Sequence, residues 1–157
     1  AREQDFIVEC VKFDVDVTAK DLYDICTRIP NLSNLEVEGT KIHGILADIG
    51  RHCKDLQVLA VHLSPEGGAA QYSSLLSGIE KLAGLNNLQD LDISGKGNLT
   101  ALFTKLAEKN ILQRFRYSEE LVPEEVIRVS QIKSLKKLEC SFSDWEDYQS
   151  LTELASS

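Results

Sequence analysis

The feature that most constrains this chain is a spaced apolar triplet that returns six times. An apolar residue is followed three positions later by a second and two positions after that by a third. The segments are Val8-Val11-Phe13, Leu32-Leu35-Val37, Leu56-Leu59-Val61, Leu88-Leu91-Ile93, Leu112-Phe115-Tyr117 and Leu135-Leu138-Cys140. Their middle anchors stand at 11, 35, 59, 91, 115 and 138, so the steps are 24, 24, 32, 24 and 23. Loops of an ordinary globular domain vary freely in length, so steps this regular imply one supersecondary unit repeated and stacked on itself. The 157 residues then read as a single domain over 1–157, six units of about 24 residues with one eight-residue insertion, a length close to the usual one-domain prior.

Each triplet precedes a stretch with helical spacing. In the first unit Leu22, Ile25, Cys26 and Ile29 share a face, and in the second Ile42, Ile45, Leu46 and Ile49 do so. The third continues through Tyr72, Leu75, Leu76, Ile79 and Leu82, and the fourth through Leu99, Leu102, Phe103 and Leu106. The fifth helix opens at Pro123 with Glu124 and Glu125 in its first turn, as the helix dipole favours, and runs through Val126, Ile127 and Ile132. A sixth is capped by Ser143 or Asp144 and carries Trp145, Tyr148, Leu151 and Leu154. A short strand followed by a helix, repeated, makes the fold class α/β. The longer step is placed at 64–70, where Pro65, Gly67 and Gly68 mark a loop.

The LxxLxL pattern, repeated every 24 or so residues with a helix in each second half, resembles the leucine-rich repeat proteins over positions 6–155. Cys53-Lys-Asp-Leu56-Gln-Val-Leu59-Ala-Val61 is similar to the CxxLxxLxL form of the cysteine-containing repeats of F-box substrate receptors. The resemblance implies a solenoid of six strand-helix repeats, with a parallel sheet on the concave face and helices on the convex face. A lone repeat cannot bury its apolar stripe, so the ends need caps, here Phe6 and Ile7 at one end and Trp145 and Tyr148 at the other. It further implies a protein-interaction module, and its F-box-like style implies the substrate-recognition part of an F-box ubiquitin ligase that meets a Skp1-type adaptor through a region outside this chain. The alternative is a scaffold or adaptor in a nuclear ribonucleoprotein or chromatin complex, or a repeat domain that inhibits an enzyme.

Charge narrows the partners. Seventeen Lys and Arg against 25 Asp and Glu leave a net charge of −8 and a pI near 4.9, which disfavours phosphate backbones and anionic membranes. No apolar run approaches the roughly 20 residues of a membrane helix. The chain does not start with Met and contains none, so it reads as a fragment of a longer protein. Cys10, Cys26, Cys53 and Cys140 show no CxxC or dense spacing. They are expected to be reduced and buried in a cytoplasmic or nuclear protein. The triplets Asn31-Leu32-Ser33 and Asn98-Leu99-Thr100 match a glycosylation acceptor. Six Asn and 20 Ser or Thr give about one such match by chance, a weak signal of the opposite compartment.

Catalysis has little in its favour, and no cofactor or metal is expected. His43, His52 and His62 have no HExxH, GxSxG or P-loop around them. The alternation of a strand instead assigns residues to the uncovered face of the sheet. One column is Lys12, Glu36, Ala60, Asp92, Arg116 and Glu139; a second is Cys10, Asn34, Val58, Asp90, Arg114 and Lys137; a third holds Asp14, Glu38, His62, Ser94, Ser118 and Ser141. Glu36, Glu38, Asp90 and Asp92 form an acidic region, Val58 and Ala60 an uncharged centre beside His62, and Arg114, Arg116 and Lys137 a basic end. Such a surface suits a protein or peptide partner.

Overall fold

The structure is a computed structural model that describes residues 8, 10–13, 17–29, 31–39, 45–63, 79–95, 97–141 and 149. Six strands, β1 (Cys10–Phe13), β2 (Asn34–Gly39), β3 (Val58–Leu63), β4 (Asp90–Ser94), β5 (Arg114–Glu120) and β6 (Lys137–Ser141), form one sheet. Every pairing is parallel and the strand order is the sequence order. The intervening helices are α1 (Ala19–Arg28), α2 (Leu46–His52), a 3-10 helix (Ile79–Gly84), α3 (Thr100–Lys109) and α4 (Pro123–Ser130). Successive helices pack on one another in the same order, so they form one layer over one face of the sheet. The expected α/β alternation is present.

The register follows the sequence repeat. Val11, Leu35, Leu59, Leu91, Phe115 and Leu138 stand side by side, as do Phe13, Val37, Val61 and Ile93, with Tyr117 beyond Ile93. From β1 to β5 the parallel pairing runs without slippage and places each unit's anchors against the next unit's anchors, so one apolar seam runs across the sheet. All three anchors are buried in the four middle units, whereas those of the first and last units are half-buried. The sheet is extended one position before β3, β4, β5 and β6 by a repeated device. The carbonyl of Ser33 accepts from the N–H groups of Gln57 and Val58, that of Gln57 from Gln89 and Asp90, and that of Gln89 from Gln113 and Arg114; the Gln113 carbonyl accepts from Lys136 and Lys137.

Local sequence explains the helix ends. Thr18 caps α1, its Oγ1 accepting from the Asp21 N–H at 3.2 Å while Asp21 Oδ2 accepts from the Thr18 N–H at 3.0 Å, a reciprocal capping box. Asn110 ends α3 in the left-handed region at φ 54°, which asparagine tolerates. Its Oδ1 accepts from the Ser134 N–H of the next unit at 2.8 Å. Gly95 follows β4 at φ 140°, a backbone region that favours glycine. Gly50 is required for a different reason: a Cβ at this position would lie 2.3 Å from the backbone oxygen of Lys81 on the 3-10 helix.

Three readings change. Ile127 is 43% exposed, and Val129 takes its place in the core with Val126. Glu125, which the sequence marks only as a first-turn acid favoured by the helix dipole, is buried. Cys10 is exposed, and Cys26 and Cys140 are only half-buried, leaving Cys53 as the buried cysteine. The insertion at 64–70, the helical stretch from Tyr72 to position 78, and the caps at Phe6, Ile7, Trp145 and Tyr148 lie outside the described residues.

Candidate functional site

The uncovered face of the sheet carries the columns that the repeat assigns to it. Lys12, Glu36, Ala60, Asp92, Arg116 and Glu139 are register neighbours in that order, and so are Cys10, Asn34, Val58, Asp90, Arg114 and Lys137. Glu38, His62 and Ser94 form the third row. Asp14 lies outside the described residues. Ser118 and Ser141 are not partners: the ladder between β5 and β6 shifts between Arg116 and Glu120, and Glu120 pairs with Ser141. The Ser118 hydroxyl is instead engaged by the Gly95 N–H at 3.1 Å.

The opposed charged regions neutralise one another across the strands. Arg116 donates from Nε to Glu139 Oε2 at 2.7 Å and from an Nη atom to Asp92 Oδ2 at 3.4 Å. Arg114 lies 3.8 Å from Asp90 Oδ2 and 3.4 Å from Glu139 Oε1. The expected basic end is therefore largely paired at its arginines, because the acidic and basic columns fall on adjacent strands. Glu38 and Lys137 have no ion pair among the described residues. Exposed pairs of this kind contribute about 0–1 kcal/mol each, so their main effect is to hold the guanidinium groups in place.

Asp92 lies at the centre of this network. Its partial burial raises its carboxyl above the ordinary value of 3.8, and Asp90 and Glu36 add to that, against the pull of His62 and Arg116. Glu139 is fully exposed, and its hydrogen bond from Arg116 holds its carboxyl below the usual value. Between the two arginines and the small side chains of Val58 and Ala60 the face dips into a hollow of about 150 Å³, with Asp90 and Asp92 on its wall.

His62 joins three strands. Its Nε2 is 3.2 Å from Glu36 Oε1 and its Nδ1 is 2.8 Å from Ser94 Oγ. Glu36 in turn lies 3.8 Å from Lys12 Nζ. Ser94 was not singled out by charge, although its place beside His62 in the third column was the available signal. Serine, histidine and carboxylate in a row have the composition of a hydrolase triad. Here the nearby N–H groups of Gly95 and Gly97 are engaged by Ser118 Oγ and the Tyr117 hydroxyl, at 3.1 and 3.2 Å, and are not free to form an oxyanion hole. The row fixes the imidazole between β2 and β4.

Among the described residues no group of three or more His, Cys, Asp or Glu is placed to hold a metal ion. No helix among them is long and apolar enough to cross a membrane. Cys26 on α1 and Cys53 after α2 are neighbours, and the interaction with Cys26, followed by burial, raises the Cys53 thiol. No protein-family model matches the chain, and no curated protein matches it.

Proposed function

We propose that the chain is a leucine-rich repeat solenoid that binds another protein or peptide on the uncovered face of its sheet, without catalysis of its own. The observation that carries this reading is the register of that face. The same positions of successive repeats stand side by side, so the surface is an ordered array of charged side chains around the small residues Val58 and Ala60. Cross-strand ion pairs preorganise Arg114, Arg116 and Asp92, which lowers the ordering cost of binding. A hollow with small side chains at its base and fixed charges on its wall accepts a projecting partner side chain.

Within this reading, the style of the repeat around Cys53 favours the substrate-recognition half of an F-box ubiquitin ligase in the cytoplasm or nucleus, with the adaptor held elsewhere in the longer protein. That rests on likeness of repeat style alone. A scaffold role in a nuclear ribonucleoprotein or chromatin complex is the second reading, and the same register favours it equally. Affinity capture with the parent and with the charge-swapped Asp92→Arg/Arg116→Asp protein separates these cases. The reading predicts that the swap keeps the melting temperature and loses the captured partner. A Skp1-type adaptor retained by the longer protein would select the ligase; equal capture by both proteins would refute the uncovered face as the contact.

A further inference from the structure

A second depression crosses the sheet at the entry to its last three strands. It has a volume of about 320 Å³ and is lined by consecutive pairs, Gln89 and Asp90, Gln113 and Arg114, Lys136 and Lys137, with Val58 at one end. The pairs recur because each strand begins with the same doubly accepted carbonyl contact, which aligns the residue before the strand as well as its first residue. Its charge is lopsided: Arg114, Lys136 and Lys137 face a single acid, Asp90. Arg114 is shared between Asp90 at 3.8 Å and Glu139 at 3.4 Å, whereas Lys136 and Lys137 have no ion pair among the described residues. Lys12, His62, Arg114 and Arg116, the other cationic or ionisable basic groups of this face, each have a carboxylate within 4 Å.

We infer that this trough takes an acidic, extended peptide segment of the partner. The inference rests on the proposed use of the uncovered face and adds the chemistry of what occupies one end of it. From β4 to β6 the trough spans two inter-strand spacings, about 10 Å, which about three residues of extended chain cover. Side chains of an extended chain alternate, so residues two apart, about 7 Å from each other, turn towards the sheet together. Arg114 and Lys137 stand on adjacent strands about 5 Å apart at the backbone, and the long side chains of Arg114, Lys136 and Lys137 splay to meet two carboxylates at the wider spacing, while the amides of Gln89 and Gln113 donate to the peptide backbone or to the same carboxylates. The chain as a whole is strongly acidic, with a net charge of −8, so an acidic segment is repelled elsewhere and directed to this end.

The test is titration of the chain with a capped peptide of alternating Glu and Gly, with the matching Gln-Gly and Lys-Gly peptides as controls. Binding is expected for the Glu peptide alone, weakening as ionic strength rises because the contacts are exposed. Lys136→Glu/Lys137→Glu should reduce that affinity by at least about tenfold, given exposed charge pairs of ordinary strength, whereas Lys105→Glu on α3 should leave it unchanged. No binding at about 1 mM peptide, a range that covers the weakest specific contacts, would overturn the inference. Equal loss in the Lys105 variant, or tighter binding of a single-stranded oligonucleotide, would do the same. If the Glu peptide fails while partner capture still depends on Asp92 and Arg116, the uncovered face stands and only its acidic occupant is refuted.

Discussion

Glu125 closes two helices at once, and its removal offers a sharp test of how the units are joined. Its Oε1 accepts from the Val122 N–H at 3.0 Å, at the start of its own helix, and its Oε2 accepts from the Leu99 N–H at 2.7 Å, at the start of the preceding one. Leu99 is fully buried and has no side-chain cap of its own, so its N–H has no water to turn to. Glu125→Ala orphans both donors, and at about 1–3 kcal/mol for a buried group and less for the half-buried one, the loss is about 2–4 kcal/mol. A chain of this size shifts by about 2–4 °C per kcal/mol, so calorimetry should show a melting temperature lower by about 4–16 °C. Glu125→Gln keeps one carbonyl oxygen but presents an NH2 group to the other N–H, and should lose about half as much. Urea unfolding followed by circular dichroism should give a lower midpoint with an unchanged slope. An alanine variant that melts within about 1 °C of the parent would refute the shared cap.

Gly50→Ala gains about 1 kcal/mol of helix propensity. Its new methyl carbon would nevertheless sit 2.3 Å from the Lys81 oxygen, so crowding should outweigh the gain and lower stability by roughly 1–2 kcal/mol in urea. A more stable variant would mean that α2 and the 3-10 helix are not in contact. Asp92 retains its proton to higher pH in the folded state than its ordinary value of 3.8. Its stabilising contribution is therefore present below that value and lost as pH rises through the raised one. Asp92→Asn should match the parent in acid and be at least as stable at pH 7; a deficit that grows with pH would contradict this. Glu139, held low by Arg116, has the opposite sign. Glu139→Gln should remove stability that the parent retains at neutral pH and loses only as pH falls through the depressed value.

The register was legible because four of the five steps between anchors are 23 or 24 residues: Val11, Leu35 and Leu59, and again Leu91 and Phe115, could be aligned from the text of the chain before any strand was placed. The ion pairs were less so, although the columns that set Asp90 beside Arg114 and Asp92 beside Arg116 contained the signal. Reading those columns as regions of one sign hid the fact that oppositely charged neighbours on adjacent strands pair. The sequence marked Glu125 only as a first-turn acid, because its second N–H comes from a residue 26 positions earlier in sequence. Ile127 was misplaced because α4 is only eight residues long and Val126, Ile127 and Val129 allow two helical phases. The neighbouring pair of Cys26 and Cys53 has a spacing that no thiol motif marks; only the packing of α1 on α2 brings them together.

The central claim is that a partner seats on the uncovered sheet face, and a photo-crosslinking residue tests it directly. Ala60 points from β3 into the hollow of that face, and Glu108 is exposed on α3 in the helix layer. The account predicts that p-benzoylphenylalanine at position 60 joins the captured partner covalently and that the same residue at position 108 does not. A cross-link from position 108 with none from position 60 would place the partner on the helices and contradict the account.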